Sequence, residues 1–161
     1  MKVQQNQPLV AQKVLLLTIF LGAYSSLALA QTAEDSIKNT IEQLFAGMRT
    51  ADSAQVRSTL ASEVRLITVV NTSSLTHLQE TSVDRFLQAV GSPHDEVWDE
   101  RVQDYHIRVD DALATAWTPY RFYRGSTFSH CGVNAFQLYR GQQGWKIIQI
   151  TDTRRKRGCA E

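Results

Sequence analysis

The sequence predicts an α+β domain in which three helices and one strand precede a four-strand antiparallel meander. Three observations carry that prediction. Apolar residues recur at helical spacing over residues 33–51 and again over 81–90. Residues 97–153 divide into four long runs rich in β-branched and aromatic residues. The turn material between those runs is too short for anything but antiparallel neighbours.

The first thirty residues read separately. Lys2 and Lys13 are their only charges, and Val14–Ala30 has none. The stretch ends in Ala28-Leu29-Ala30, the small-x-small pattern that a signal peptidase accepts, and polar Gln31 follows. We expect a cleavable signal peptide over 1–30, with cleavage after Ala30 and export to the periplasm or beyond. An uncleaved anchor is the alternative, but Tyr24, Ser25 and Ser26 dilute a run shorter than the roughly 20 apolar residues of a membrane span. No lipobox cysteine or sorting signal separates periplasmic from secreted.

Residues 31–161 suffice for one domain with one core. All but two of the 17 Lys and Arg residues and all 16 Asp and Glu residues fall there, leaving a formal charge of −1. Such a balance offers no electrostatic case for nucleic acid or for an anionic membrane. Cys131 and Cys159 both lie in this part; in an oxidising compartment they read as a disulfide, or else as a buried Cys131 and a free terminal thiol. There is no CxxC and no Cys/His cluster, so no metal is expected, and no Gly-rich phosphate loop or dinucleotide fingerprint, so no cofactor is expected.

Taken in order, Ile37, Ile41, Leu44, Phe45 and Met48 form the apolar stripe of the first helix. Asp52 or Ser53 can cap a short second helix over Ala54–Leu60. Val64–Val70 reads as a strand and Asn71–Ser74 as a loop, and His77 is placed in a loop segment as well. Thr81, with Asp84, approximates a capping box for a helix to Val90, which Gly91-Ser92-Pro93 ends. The meander follows as Val97–Val109, Leu113–Tyr123, Thr127–Arg140 and Trp145–Thr153.

Its residues resemble a known family. Ala116-Trp117-Thr118-Pro119-Tyr120, then Ser129-His130-Cys131-Gly132, then Gly144-Trp145-Lys146-Ile147, resemble the lumazine-binding branch of the nuclear-transport-factor-2-like (SnoaL-like) superfamily. Many of its members are exported bacterial proteins. The resemblance spans residues 33–159 and implies a cone-shaped, strongly bent sheet wrapped around the first helix, with a pocket at the open end. It also implies frequent homodimerisation through the outer sheet face. It says little about chemistry, because one fold hosts many functions, and nothing in these residues singles out a pterin.

Candidate site residues follow from strand alternation. With Gly141–Gly144 as a hairpin loop, Arg140 opposes Trp145, and a regular ladder puts Phe128, His130, Asn134, Phe136 and Leu138 on one face. The same ladder puts Cys131, Ile150, Asp152 and Arg154 on the other. His130 is the candidate acid/base, since imidazole titrates near neutrality; the competing reading is a core histidine satisfied by backbone or Asp152. Asp152 is the second catalytic candidate, against a salt bridge to a nearby arginine. Trp117, Tyr120, Phe128, His130, Asn134 and Phe136 are the candidate ligand-binding set. His106 falls on a half-exposed strand. In the superfamily's ketosteroid-isomerase-like members a carboxylate base stands on the first strand; here Val64–Asn71 holds Arg65 and no acid, and Glu63 lies only at its start. A non-enzymatic binding module for a small apolar or aromatic molecule is therefore expected. The alternative is a dehydratase, isomerase or cyclase using His130.

Overall fold

The computed structural model describes residues 32–159; the expected signal peptide over 1–30 and the expected cleavage after Ala30 fall outside the described residues. Helix α1 (Ala33–Arg49) starts on a capping box in which Thr32 accepts from the Asp35 backbone N–H while the Asp35 side chain returns to Thr32. Helix α2 (Ser53–Thr59) is capped by Asp52, and α3 (Val83–Gly91) by Ser82 rather than Thr81. Seven strands, β1 (Leu60–Asn71), β2 (Thr76–Thr81), β3 (Trp98–Val102), β4 (His106–Asp110), β5 (Leu113–Arg124), β6 (Thr127–Gly141) and β7 (Gly144–Thr153), form one curved sheet. Its order is β2-β1-β7-β6-β5-β3, with β4 also on β5. Every pairing is antiparallel except β1 with β7.

Two elements differ from expectation. Strand β2 replaces the loop expected around His77: Thr76–Thr81 has Leu78 as its one apolar residue and is exposed at all but its last residue, and its strand pairing is with β1. Its sequence shows no apolar alternation because neither face is buried. The run Val97–Val109 is two strands, because a break after Val102 sends β3 to the C-terminal half of β5 and β4 to its N-terminal half.

Alternation along the meander is interrupted twice. Ile148 is an extra residue on β7 between the Gln137–Gln149 and Leu138–Ile147 pairs, and Ser129 is an extra residue on β6 between the Phe122–His130 and Tyr123–Phe128 pairs. A bulge of one residue exchanges the faces of everything beyond it. The first moves Ile150, Asp152 and Arg154 onto the inner face beside Asn134 and Phe136. The second moves Phe128 off that face.

The inner face closes over α1. Ile37, Ile41 and Leu44 are buried with Phe136, Leu138, Trp145 and Ile147, and Phe45 meets Phe136 edge-on with ring centroids 6.2 Å apart. At the open end β7 runs so close to β6 that a Cβ on Gly132 would collide with the Thr153 carbonyl. Beyond it Cys131 and Arg155 exchange two backbone hydrogen bonds of 2.8 and 2.9 Å. The tail then turns back through Gly158, at φ 63°, and Cys159 forms a disulfide with the buried Cys131. Among the described residues no helix is long and apolar enough to cross a membrane.

Candidate functional site

A cavity of about 320 Å³ opens between α1, α3 and the concave face of the sheet. Its wall is mostly apolar: Leu44, Phe45 and Met48 from α1, Phe86 from α3, and Trp98, Phe122, Phe136 and Ile150 from the sheet. Into this wall converge Glu100, Asn134 and Asp152, with Thr68, His130 and Arg154 around them. Apolar walls bearing a few fixed polar groups are the usual make-up of a small-molecule site.

Glu100 is the group that sequence reasoning missed. It lies on β3, between Trp98 and Val102, and register aligns these three with Arg124, Phe122 and Tyr120 of β5. Asn134 donates from Nδ2 to Glu100 Oε1 at 2.6 Å. Burial pushes the Glu100 carboxyl up to about 7, against the Asn134 hydrogen bond and the Arg154 charge; the nearby Asp152 charge adds to the rise. Glu100 therefore exchanges its proton near neutral pH. A signal was present in the sequence: alternation that puts Trp98 and Val102 inside puts the carboxyl between them inside as well.

Asp152 is almost fully buried and fully engaged. One oxygen accepts from the Thr68 hydroxyl at 2.6 Å and the other from Arg154 Nε at 2.7 Å. The salt-bridge reading of this residue holds, but the pair stands inside the cavity, opposite Asn134 in register. Tyr120 donates its hydroxyl to the Thr153 carbonyl at 3.0 Å. Burial, reinforced by Glu100, holds its phenol far above the ordinary range, so it stays protonated.

His130 lines the cavity with its ring tilted against Phe122, centroids 5.0 Å apart, and edge-on to Tyr120 at 5.8 Å. Its Nδ1 bonds the Ser129 hydroxyl at 3.0 Å, not Asp152. Burial first, then the Arg154 charge, lowers its pKa, which leaves the imidazole neutral at pH 7.

Of the six candidate ligand-binding residues, Tyr120, His130, Asn134 and Phe136 line the cavity. Trp117 and Phe128 do not. Trp117 stands three residues from Tyr120, an odd spacing that puts it on the opposite, outer face; it is 54% exposed, between His106 and Ala135 in register. Phe128 is carried outward by the Ser129 bulge and packs against Tyr123, with the Arg121 guanidinium over its ring. His106 is on the exposed edge strand, 3.2 Å from Asp104. Among the described residues no cluster of His, Cys, Asp and Glu could hold a metal ion.

No family model and no curated protein sequence matches this chain. Solved structures do. One is a nuclear-transport-factor-2-like protein with a cystatin-like fold from Novosphingobium aromaticivorans, with a TM-score of 0.62 and 12% identity, over 78% of this chain and 83% of that one. Another is a proposed dehydratase of the same fold family from Streptomyces avermitilis (TM-score 0.59, 12% identity, 76% and 95% of the two chains). A third is a proposed ketosteroid isomerase from Shewanella frigidimarina (TM-score 0.55, 15% identity, 74% and 96%). At such identities the likeness is one of fold. The chain has the α+β, nuclear-transport-factor-2-like cone, with its sheet wrapped on the helices.

Proposed function

We propose that this cone binds one small, largely apolar or aromatic organic molecule, with Glu100, Asn134 and the Asp152–Arg154 pair as hydrogen-bonding partners along the wall. The observation that carries the reading is the cavity itself: about 320 Å³, apolar around its wall, with hydrogen-bonding groups gathered on one side. Thermal-shift screening against a diverse set of small aromatic and alicyclic compounds tests it. We expect stabilising hits that disappear in Ala89→Trp, which fills the cavity from α3. An absence of hits, or hits that Ala89→Trp leaves unchanged, would refute the reading.

A second reading, proton transfer on the bound molecule, is favoured by one observation: a carboxyl in the cavity that titrates at about 7. The general acid/base would then be Glu100 rather than His130, whose lowered pKa suits a neutral hydrogen-bonding role. Two of the fold's neighbours carry the names dehydratase and ketosteroid isomerase as proposals, in keeping with such chemistry. Glu100→Gln separates the readings, since it preserves binding under the first and removes turnover under the second.

Export fits the same picture. The disulfide is a bond that persists in oxidising compartments, and the signal-peptide pattern of residues 1–30 agrees with it. A homodimer is supported by apolar residues on the outer face, where Trp117, Leu113 and Tyr139 are exposed.

A further inference from the structure

Charge around the cavity is unevenly matched. Arg154 is held on Asp152 at 2.7 Å, and elsewhere Arg65 pairs with Glu80, Arg101 with Asp99 and Arg140 with Asp111. Arg85 on α3 and Arg124 at the end of β5 both line the cavity, yet neither side chain has an ion pair or hydrogen bond among the described residues. Both are exposed, which places them at the rim rather than on the floor. Of the two lining carboxyls, Asp152 is taken up by Thr68 and Arg154, and Glu100 is bonded to Asn134. Nothing in the wall therefore neutralises the two rim arginines.

We infer that the ligand of this cone is a small organic anion: an apolar, preferably aromatic body that enters toward Phe45, Met48 and Phe136, with one carboxylate-like group held at the rim by Arg85 and Arg124. Guanidinium is matched to carboxylate, sulfonate and phosphate oxygens by its planar set of donors. At His130 the net effect lowers the pKa: after burial, the Arg154 charge disfavours its proton, Asp152 opposes that, and Arg124 and Lys156 add to the lowering. The inference rests on the binding reading above and adds the charge of the ligand to it.

Calorimetric titration of protein produced from the full chain, with 2-naphthoate and with its neutral counterpart 2-naphthamide, tests it. The two share a body and differ in charge. Naphthoate is expected to bind about tenfold more tightly, the product of two exposed charge contacts worth a few-fold each. Arg85→Gln with Arg124→Gln should bring naphthoate to within about twofold of naphthamide and leave the amide unchanged. Equal binding of acid and amide, or a double variant that weakens both alike, overturns the anion assignment while the binding reading stands. Failure of both compounds, and of a wider neutral set, overturns the binding reading and this inference with it.

Discussion

Between pH 5 and pH 8 the Glu100 carboxyl is expected to withdraw on the order of 3 kcal/mol of folding stability, a contribution that Glu100→Gln should remove. The Glu100 carboxyl has an ordinary value of 4.5 and is raised to about 7 in the folded protein, chiefly by burial. A rise of that extent corresponds to ~3 kcal/mol. The sign follows from proton counting. Between those two values the folded state keeps a proton that the unfolded chain has released, so unfolding expels a proton and is promoted as pH rises. The contribution is complete below the unfolded value and gone once pH passes the folded one. His130 works the other way: its pKa is lowered in the fold, so acidification through its ordinary 6.5 favours the unfolded chain. The variant isolates the Glu100 part, because glutamine can still accept from Asn134 and has no proton to lose. Urea titrations at intervals from pH 5 to pH 8 measure the slope directly. A wild-type slope equal to that of Glu100→Gln would show that the carboxyl titrates in the ordinary range.

Reducing the Cys131–Cys159 bond, or replacing Cys159 by serine, should cost about 3–4 kcal/mol. The two cysteines are 28 residues apart, and closing a loop of that length restricts the unfolded chain by roughly this amount. Cys159→Ser is the better variant, because Cys131 is buried and a hydroxyl there would bring its own desolvation penalty. A site effect is expected as well. The bond pins the tail directly after Arg154, next to the bridge between Cys131 and Arg155. Reduced protein should therefore bind cavity ligands more weakly even under conditions where it remains folded. The urea midpoint with and without reductant gives the first quantity, and titration of both forms with 2-naphthoate gives the second. An unchanged midpoint would mean that the bridge and the crossing at Gly132 already hold the tail.

Much of the fold was legible because its signals are periodic. The stripe of Ile37, Ile41, Leu44, Phe45 and Met48 is the buried face of α1, and the glycine-flanked turn at Gln142 sets Arg140 opposite Trp145. What was not legible lacks a local signal. Strand β2 buries almost nothing, so Thr76–Thr81 carries no pattern. The bulges at Ser129 and Ile148 each add one residue to a regular run, and no residue type announces them. Their effect on the site is large: strict alternation put Asp152 and Arg154 on the wrong face and Phe128 in the pocket. Trp117 is a different case, since alternation along β5 already separated it from Tyr120. Glu100 was within reach, as a carboxyl between two apolar residues on one face of a strand. Reading Val97–Val109 as a single half-exposed strand concealed it.

The central claim, that the cone interior is the ligand site, is tested most directly by the three tryptophan indoles. Trp98 lines the cavity, Trp145 lies in the core, and Trp117 stands exposed on the outer face. In an assigned ¹H–¹⁵N spectrum each indole N–H reports its own location. Addition of 2-naphthoate should shift the Trp98 indole and the Asn134 side-chain amide and leave Trp117 in place. Movement of Trp117 with Trp98 and Asn134 unchanged would put the ligand on the outer face and contradict the account.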